Sequence, residues 1–192
     1  MAQKSFYILR HGEIYSGSWW YWRLTRLASI DRDDPPLSPF GMEKSEVLGQ
    51  KISADGFVPE AIVVSPYVRC IQTATQIQKS LNPTPKIIIE PLLAEYQFLL
   101  KQTCATYPDG LPFGAPETFA MLVERCTTVA NEIIKKYNKA IFITHGSLVC
   151  FFANYFSGLP ADTNVTIRFS DYIKVTQDKK YSEKYSVEVV NW

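Results

Sequence analysis

Phe6-Tyr7-Ile8-Leu9-Arg10-His11-Gly12-Glu13 is the stretch that decides the fold of this chain. Its four apolar residues, rich in aromatic and branched side chains, predict a buried strand. The strand stops abruptly at an arginine and a histidine, and parallel α/β sheets bind their ligands at the carboxyl ends of the strands. The chain has only two histidines, so the position of the second one tests whether the first belongs to a site.

The second histidine occupies a comparable position. Residues 139–144 form another short apolar run, which predicts a buried strand, and His145-Gly146 follows it directly. A third buried strand is predicted at 61–64. Ser65-Pro66 then has the pattern of a helix start, with serine as N-cap and proline in the first turn, and Arg69 lies one helical turn beyond the strand.

Parallel strands share one carboxyl edge, so we expect Arg10, His11, Arg69 and His145 to meet there. Two guanidinium groups and two imidazoles at one point favour an anion, and a phosphoryl group fits best. The amino ends of the helices that start near Ser65 and Ser147 would add backbone N–H donors.

The remaining pattern predicts an α/β fold with three layers, a mostly parallel sheet flanked by helices. A single domain is expected over 1–192, with a long aromatic loop inserted at about 13–37. Helices are predicted at about 38–54, 65–81, 116–137 and 147–156. A strand is expected at 86–90, and antiparallel strands at 165–169, 172–176 and 185–190.

The composition excludes several classes of function. A net charge of +1 gives no electrostatic basis for binding nucleic acid or an acidic membrane surface. The most apolar later segment, 148–156, is far shorter than the ~20 residues that a membrane span needs. We therefore expect a soluble cytoplasmic protein that binds neither nucleic acid nor membrane. Whether it forms a homodimer stays open.

The four cysteines, Cys70, Cys104, Cys126 and Cys150, are scattered and form no CxxC pair. Free thiols in a reducing compartment are expected, and no metal site or cofactor is predicted. A cysteine phosphatase would need an arginine six positions after its thiolate. The residues at those positions are Gln76, Gly110, Glu132 and Phe156, which excludes that mechanism.

Imidazole offers a route to phosphoryl transfer without a metal. One ring nitrogen attacks phosphorus while the other, hydrogen-bonded to a carbonyl, sets the tautomer. The arginines and the second histidine neutralise the phosphoryl oxygens, and a nearby carboxylic acid must protonate the leaving oxygen.

These motifs resemble the histidine phosphatase superfamily, the phosphoglycerate-mutase-like proteins. Leu9-Arg10-His11-Gly12-Glu13 is similar to its Arg-His-Gly signature. Residues 65–74 resemble its motif Ser-Pro-x-x-Arg-x-x-x-Thr-Ala, Thr144-His145-Gly146 its second histidine, and residues 37–41 its helix start. The resemblance covers nearly the whole chain in the same order and implies a phosphoglycerate-mutase-like fold.

The resemblance also implies roles for the residues. His11 would be the nucleophile that becomes phosphohistidine, and Arg10, Arg69 and His145, with Ser147, would bind the phosphoryl group. Glu95 resembles the general acid, and it follows the strand predicted at 86–90, at the same sheet edge. The other carboxylates that could serve as the acid are Glu90, Glu13 and Glu117.

Within the family, the aromatic loop and the residues around 33–38, 70–74 and 90–91 resemble the suppressor-of-T-cell-receptor-signalling and ecdysteroid-phosphate phosphatases. That resemblance implies hydrolysis of a phosphomonoester, with a phosphoprotein or a phosphorylated small molecule as substrate. The candidates for the substrate-binding wall are Glu13, Trp19, Trp20, Trp22 and Phe40. A phosphoglycerate mutase, a sugar-phosphate (bis)phosphatase and an inactive phosphate-binding scaffold remain alternatives.

Overall fold

The structure is a computed structural model that describes residues 3–15, 34–96 and 117–192. Its strands are β1 (Ser5–Arg10), β2 (Ala61–Val64), β3 (Lys86–Ile89), β4 (Lys139–Thr144), β5 (Tyr172–Gln177) and β6 (Tyr185–Val190). Its helices are α1 (Pro39–Ala54), α2 (Val68–Gln78), α3 (Phe119–Lys136) and α4 (Gly146–Ser157), with a 3-10 turn at Pro91–Leu93.

The six strands form one sheet in the order β3-β2-β4-β1-β5-β6. The strands β3, β2, β4 and β1 run parallel to one another. The strand β5 pairs antiparallel with β1, and β6 pairs antiparallel with β5. The predicted α/β fold with a mostly parallel sheet is therefore confirmed.

The side chains of β1 alternate between two separate hydrophobic cores. Phe6 and Ile8 are fully buried on the face covered by α3 and α4. Tyr7 and Leu9 are buried on the opposite face, which α1 and α2 cover. Because successive strand residues point to opposite faces, a strand that is apolar throughout requires helices on both sides. This requirement produces the three predicted layers.

The parallel pairing sets the level at which the strands end. Arg10 pairs with Thr144 in the β1–β4 register, and Val64 pairs with Ile143 in the β2–β4 register. His11 and His145 are each the next residue along their own chain segments. The two histidines therefore leave the sheet side by side at its carboxyl edge.

Two glycines allow the chain after His11 to lie against the first turn of α1. A Cβ on Gly12 would lie 2.8 Å from the hydroxyl oxygen of Ser45, and a Cβ on Gly41 would collide with the backbone of Glu13. Ser38 caps α1 as predicted, because its hydroxyl oxygen accepts a hydrogen bond from the Gly41 amide at 2.9 Å.

The prediction that Ser65 caps the next helix is wrong. The helix α2 begins at Val68, and Tyr67 occupies the cap position without a side-chain hydrogen bond to the helix. The Ser65 hydroxyl is instead 2.9 Å from the Nε2 atom of His145. The serine thus contacts the edge of the sheet, and the helix starts three residues later.

The predicted strand at 165–169 is also absent. The backbone there ends in a turn, in which the Asp171 carboxylate accepts a hydrogen bond from the Arg168 amide at 2.7 Å. The Ile167 carbonyl accepts a hydrogen bond from the Arg10 side chain, so this backbone group is not available for a sheet ladder. The strands predicted at 172–176 and 185–190 are confirmed as β5 and β6.

The two ends of the predicted loop insertion run side by side, because Ile14 and Leu37 form an antiparallel bridge. Trp19, Trp20 and Trp22 lie outside the described residues, as does Cys104. The other three cysteines are free, and Cys70 and Cys126 are buried. Within the described ranges, no helix is both long enough and apolar enough to cross a membrane.

Candidate active site

The structure brings both histidines together at the carboxyl edge of the sheet. The rings of His11 and His145 have centroids 5.3 Å apart and planes inclined at 65°. Their side chains are almost entirely buried, with 3% and 0% exposure. Arg10 and Arg69 both lie close enough to His11 to lower its pKa through their charge.

The His11 ring is held in one tautomer by its own backbone neighbour. Its Nδ1 atom is 2.8 Å from the Gly12 carbonyl oxygen, so Nδ1 carries the proton and donates it. The lone pair is then on Nε2, the nitrogen that a nucleophile would use. The Gly12 amide donates to the Thr73 hydroxyl oxygen at 3.0 Å, which fixes this turn to α2.

The His11 imidazole is neutral under ordinary conditions. Burial lowers its pKa well below the usual value, and the neighbouring His145 and Arg69 lower it further. A protonated imidazole has no lone pair to offer, so these surroundings keep His11 in the form that can attack an electrophile.

His145 is contacted on both ring nitrogens. The Nε2 atom faces the Ser65 hydroxyl, and Nδ1 lies 3.2 Å from a Glu95 carboxylate oxygen and 3.3 Å from an Arg69 nitrogen. Burial lowers the pKa of His145 against the opposing effect of the Glu95 carboxylate. The neutral ring with its proton on Nδ1 therefore donates to Glu95.

Of the four carboxylates considered as the general acid, Glu95 is the one that the structure places beside His145. It accepts a hydrogen bond from the Ser147 hydroxyl at 2.7 Å and one from the Tyr96 amide at 3.1 Å. Burial favours a higher pKa, but His145, Ser147 and Arg69 outweigh it and hold the pKa well below the usual range. The side chain keeps 26% of its surface exposed, so it can meet a ligand.

The three competing carboxylates have other contacts. Glu90 accepts from the Leu92 amide at 3.0 Å and thereby caps the 3-10 turn. Glu117 pairs with Arg125, with an N–O distance of 2.9 Å. Glu13 lies 3.4 Å from the Ser38 hydroxyl at the start of α1.

Arg125 also supports the segment that carries Glu95. Its guanidinium donates to the carbonyl oxygens of Leu92 and Ala94 at 2.6 and 3.0 Å. Because these bonds tie α3 to the backbone just before Glu95, they fix the position of the carboxylate. The sequence offered no signal for this contact, since Arg125 lies within an ordinary amphipathic helix.

Arg69 is held from two sides. One nitrogen lies 3.4 Å from the Asp34 carboxylate, and the guanidinium carbon is 4.3 Å from the centre of the Tyr67 ring. The Nε atom is buried and has no hydrogen-bond partner among the residues that the structure describes. A guanidinium with a buried unpaired donor can bind an anion at low cost.

Asp34 is a site residue that the sequence pattern did not indicate. Both its carboxylate oxygens accept from the Val68 amide, at 3.0 and 2.9 Å. This amide is the first N–H of α2, so Asp34 takes the place in which we expected a bound anion. The only hint in the sequence was the charged run 31–34 that it ends.

Arg10 resembles Arg69 in its contacts. It donates from one terminal nitrogen to the Ile167 carbonyl at 2.8 Å, and its guanidinium carbon lies 4.1 Å from the centre of the Phe169 ring. Its Nε atom is also buried and unpaired within the described ranges. Burial lowers the pKa of Arg10, and the negative charges of Glu95 and Asp171 partly offset this effect.

Phe40, a candidate for the substrate-binding wall, is exposed to solvent. It lies on the first turn of α1, 52% exposed, and the Lys44 ammonium is 5.4 Å from its ring. Among the described residues, no group of three histidine, cysteine, aspartate or glutamate side chains could hold a metal ion.

The model of the histidine phosphatase superfamily (branch 1) matches residues 6–192. The chain belongs to this superfamily. The matched range includes the two histidines and the two arginines that the parallel strands bring to one sheet edge.

Individual members differ in how much they share with this chain. A phosphoglycerate mutase family protein of Acanthamoeba polyphaga mimivirus is 33% identical over 150 residues, covering 73% of each chain. Ubiquitin-associated and SH3 domain-containing protein A of Homo sapiens is 26% identical over 83% of this chain, which spans 32% of that protein's length. The ecdysone phosphate phosphatase of Bombix mori, solved with tungstate, has a TM-score of 0.68 at 17% identity, covering 98% and 92% of the two chains.

Proposed function

We propose that the chain is a phosphomonoester hydrolase that works without a metal, through a phosphohistidine on His11. The observation that carries the proposal is the neutral His11 ring, whose Nδ1 proton is donated to the Gly12 carbonyl 2.8 Å away. The free Nε2 lone pair then lies beside two arginines whose Nε donors are unpaired within the described part of the chain. This combination supplies a nucleophile and a phosphoryl-binding site together.

In the first step, Nε2 of His11 attacks phosphorus in line as the bond to the leaving oxygen breaks. Arg10 and Arg69 offset the charge on the phosphoryl oxygens, and the neutral His145 ring and Ser147 complete the same phosphoryl-binding site. Glu95 gives its proton to the leaving oxygen, so that an alcohol departs and not an alkoxide. In the second step, water attacks the phosphohistidine, Glu95 takes the proton of the water, and inorganic phosphate is released.

The proton for Glu95 comes with the substrate. The surroundings of Glu95 hold its pKa low, so the carboxylate is ionised before a substrate binds. A phosphate monoester has its second pKa near ~6, so a monoanion brings one proton into the site. Once bound, its negative charge offsets the cations near Glu95, raises the pKa of the carboxyl and favours transfer of that proton.

For the substrate, we propose a phosphoprotein or a phosphorylated small molecule with a bulky or ring-bearing alcohol. The name of the Bombix mori ecdysone phosphate phosphatase suggests the second class, the resemblance of the sequence motifs includes the first, and the aromatic residues at 19–22 suit a ring. Phe40 and Glu13 are then candidates for contact with the alcohol part of the substrate, together with Trp19, Trp20 and Trp22.

The test uses p-nitrophenyl phosphate and rapid acid or base quenching. We expect turnover, with phosphate transiently bound to protein in a form that is labile to acid and stable to base. His11→Asn should lose both turnover and labelling, and Glu90→Gln is the matched control that should keep both. Turnover that survives His11→Asn would contradict the mechanism, and phosphate binding without turnover would favour a scaffold.

Two additions to the same assay separate the remaining alternatives. Activity on 3-phosphoglycerate that depends on added 2,3-bisphosphoglycerate would identify a mutase. Preference for sugar bisphosphates over phosphotyrosine peptides in a turnover screen would identify a sugar-phosphate phosphatase. EDTA should leave the rate of the hydrolase unchanged, because the two arginines supply the positive charge that a metal provides elsewhere.

A further inference from the structure

The turn at residues 167–171 contacts both Arg10 and His11. The Arg10 amide donates to the Asp171 carbonyl at 3.0 Å, and the Ser170 amide donates to the His11 carbonyl at 3.2 Å. These bonds continue the antiparallel pairing of β1 with β5 beyond the end of both strands. The turn therefore holds the backbone of the segment that carries the nucleophile.

The same turn holds the side chain of Arg10. The Ile167 carbonyl accepts a hydrogen bond from one terminal nitrogen, and the Phe169 ring covers the guanidinium with 4.1 Å between the guanidinium carbon and the ring centre. A planar cation that is bonded at one edge and stacked on one face has little freedom to rotate. Its buried Nε donor then keeps a fixed direction.

The conformation of the turn indicates that it is maintained against strain. Ser170 has a φ of 66°, in the left-handed region that a serine seldom adopts. Its hydroxyl is buried and has no hydrogen-bond partner among the described residues. Strained residues of this kind persist where the surrounding contacts determine them, which occurs most often at functional sites. Here those contacts are the bonds to Arg10 and His11.

We propose that Phe169 is a positioning residue for Arg10: the ring sets the direction in which the guanidinium offers its donors to the phosphoryl group. The inference rests on the proposed function, because it assigns Arg10 to phosphoryl binding. The centroid of the Phe169 ring also lies 5.6 Å from that of the His11 ring, so Phe169 packs against both Arg10 and the proposed nucleophile. Replacing the ring should weaken anion binding through Arg10 alone.

The experiment is a pair of double-mutant cycles on the affinity for inorganic phosphate, measured by calorimetry with the full chain. Phe169→Leu should raise Kd about three- to tenfold, the range expected for one cation–π contact. The same change should alter Kd less than about twofold when Arg10→Ala is present, because the guanidinium that the ring contacts is then absent. With Arg69→Ala present, the full effect should remain, which makes Arg69 the matched control.

Two further variants separate positioning from a general loss of structure. Phe169→Tyr keeps the ring and should restore the affinity of the unaltered protein. Phe169→Met provides a second ring-free side chain should the leucine variant fail to fold, with the melting temperature followed in parallel. An equal effect of Phe169→Leu in both arginine backgrounds, or no effect in the unaltered chain, would overturn the inference but leave the proposed function intact. Absence of phosphate binding by the unaltered protein would overturn both.

Discussion

The Nδ1 atom of His145 lies 3.2 Å from a carboxylate oxygen of Glu95. The contact joins a histidine at the end of a central strand to a carboxylate that follows the edge strand β3. It orients the His145 ring and fixes the Glu95 carboxylate beside it, with 26% of the Glu95 side chain exposed. The contact also means that the acid and the phosphoryl-binding residues of the proposed mechanism affect one another's protonation.

Glu95→Gln should separate substrates by their leaving groups. The amide can keep the hydrogen bond from Ser147 but cannot give up a proton in the same way. We expect the kcat for alkyl phosphates to fall about 10²- to 10⁴-fold, with a much smaller loss for p-nitrophenyl phosphate, whose phenolate leaves readily. Glu90→Gln is the matched control, because Glu90 only caps the 3-10 turn. An equal loss on both substrates would contradict the role of Glu95 as the acid.

We expect kcat/KM to decline as the pH rises above neutrality. His11 stays neutral below its usual pKa, because burial and the nearby His145 and Arg69 lower that pKa. Its protonation therefore limits the reaction only well below pH ~6.5. Above pH ~6, the substrate loses its proton and the Glu95 carboxylate has none, so log(kcat/KM) should fall with a slope near minus one. A plateau from neutral to alkaline pH would contradict the delivery of this proton by the substrate.

Asp34→Ala should destabilise the protein more than Asp34→Asn. The alanine removes the acceptor for the Val68 amide and leaves the Arg69 charge buried without this partner, at a cost of roughly 2–4 kcal/mol in the free energy of unfolding. Asparagine loses the charge but keeps an acceptor oxygen for the amide. Thr118→Ala, which removes only the cap of α3, should cost about 1 kcal/mol in the same urea titration. Equal values for all three variants would mean that Asp34 does not hold Arg69.

Gly41→Ala should be among the costlier single-methyl additions in this chain. The added Cβ would collide with the backbone of Glu13, which cannot move without shifting the segment that follows His11. We expect a loss of about 3 kcal/mol in unfolding free energy, together with weaker phosphate binding. The control is Gly158→Ala, which has a φ of 68° and open space around its Cβ, and should cost about 1 kcal/mol without affecting phosphate. Similar behaviour of the two variants would contradict the close approach of the loop to α1.

Much of the fold was predictable because its signals are local. Runs such as 61–64 and 140–143 are apolar at every position, and a strand that is covered on both faces has such a pattern. The failed predictions arise from contacts between residues that are far apart in the sequence. Ser65-Pro66 has the residues of a helix cap, but the hydroxyl contacts His145, and no pattern near Ser65 contains that information.

The residues around 165–169 illustrate the same difficulty. They alternate as a strand does, yet the Ile167 carbonyl bonds to an arginine that comes from the first strand of the chain. A hydrogen-bond partner so far away in the sequence competes with sheet pairing and cannot be inferred from alternation. For the same reason, the sequence pattern did not predict that Phe169 contacts Arg10.

The amino-acid pattern alone was sufficient for the α/β layers and for the edge at which Arg10, His11, Arg69 and His145 gather, since strand burial and strand ends are written in adjacent residues. Which groups hold three of these side chains was decided only in three dimensions: Asp34 at Arg69, Phe169 at Arg10, and Ser65 and Glu95 at His145. Each of these contacts joins elements distant in sequence, and hydrogen bonds and stacking depend on distances of a few ångströms that only the packed sheet and its helices define.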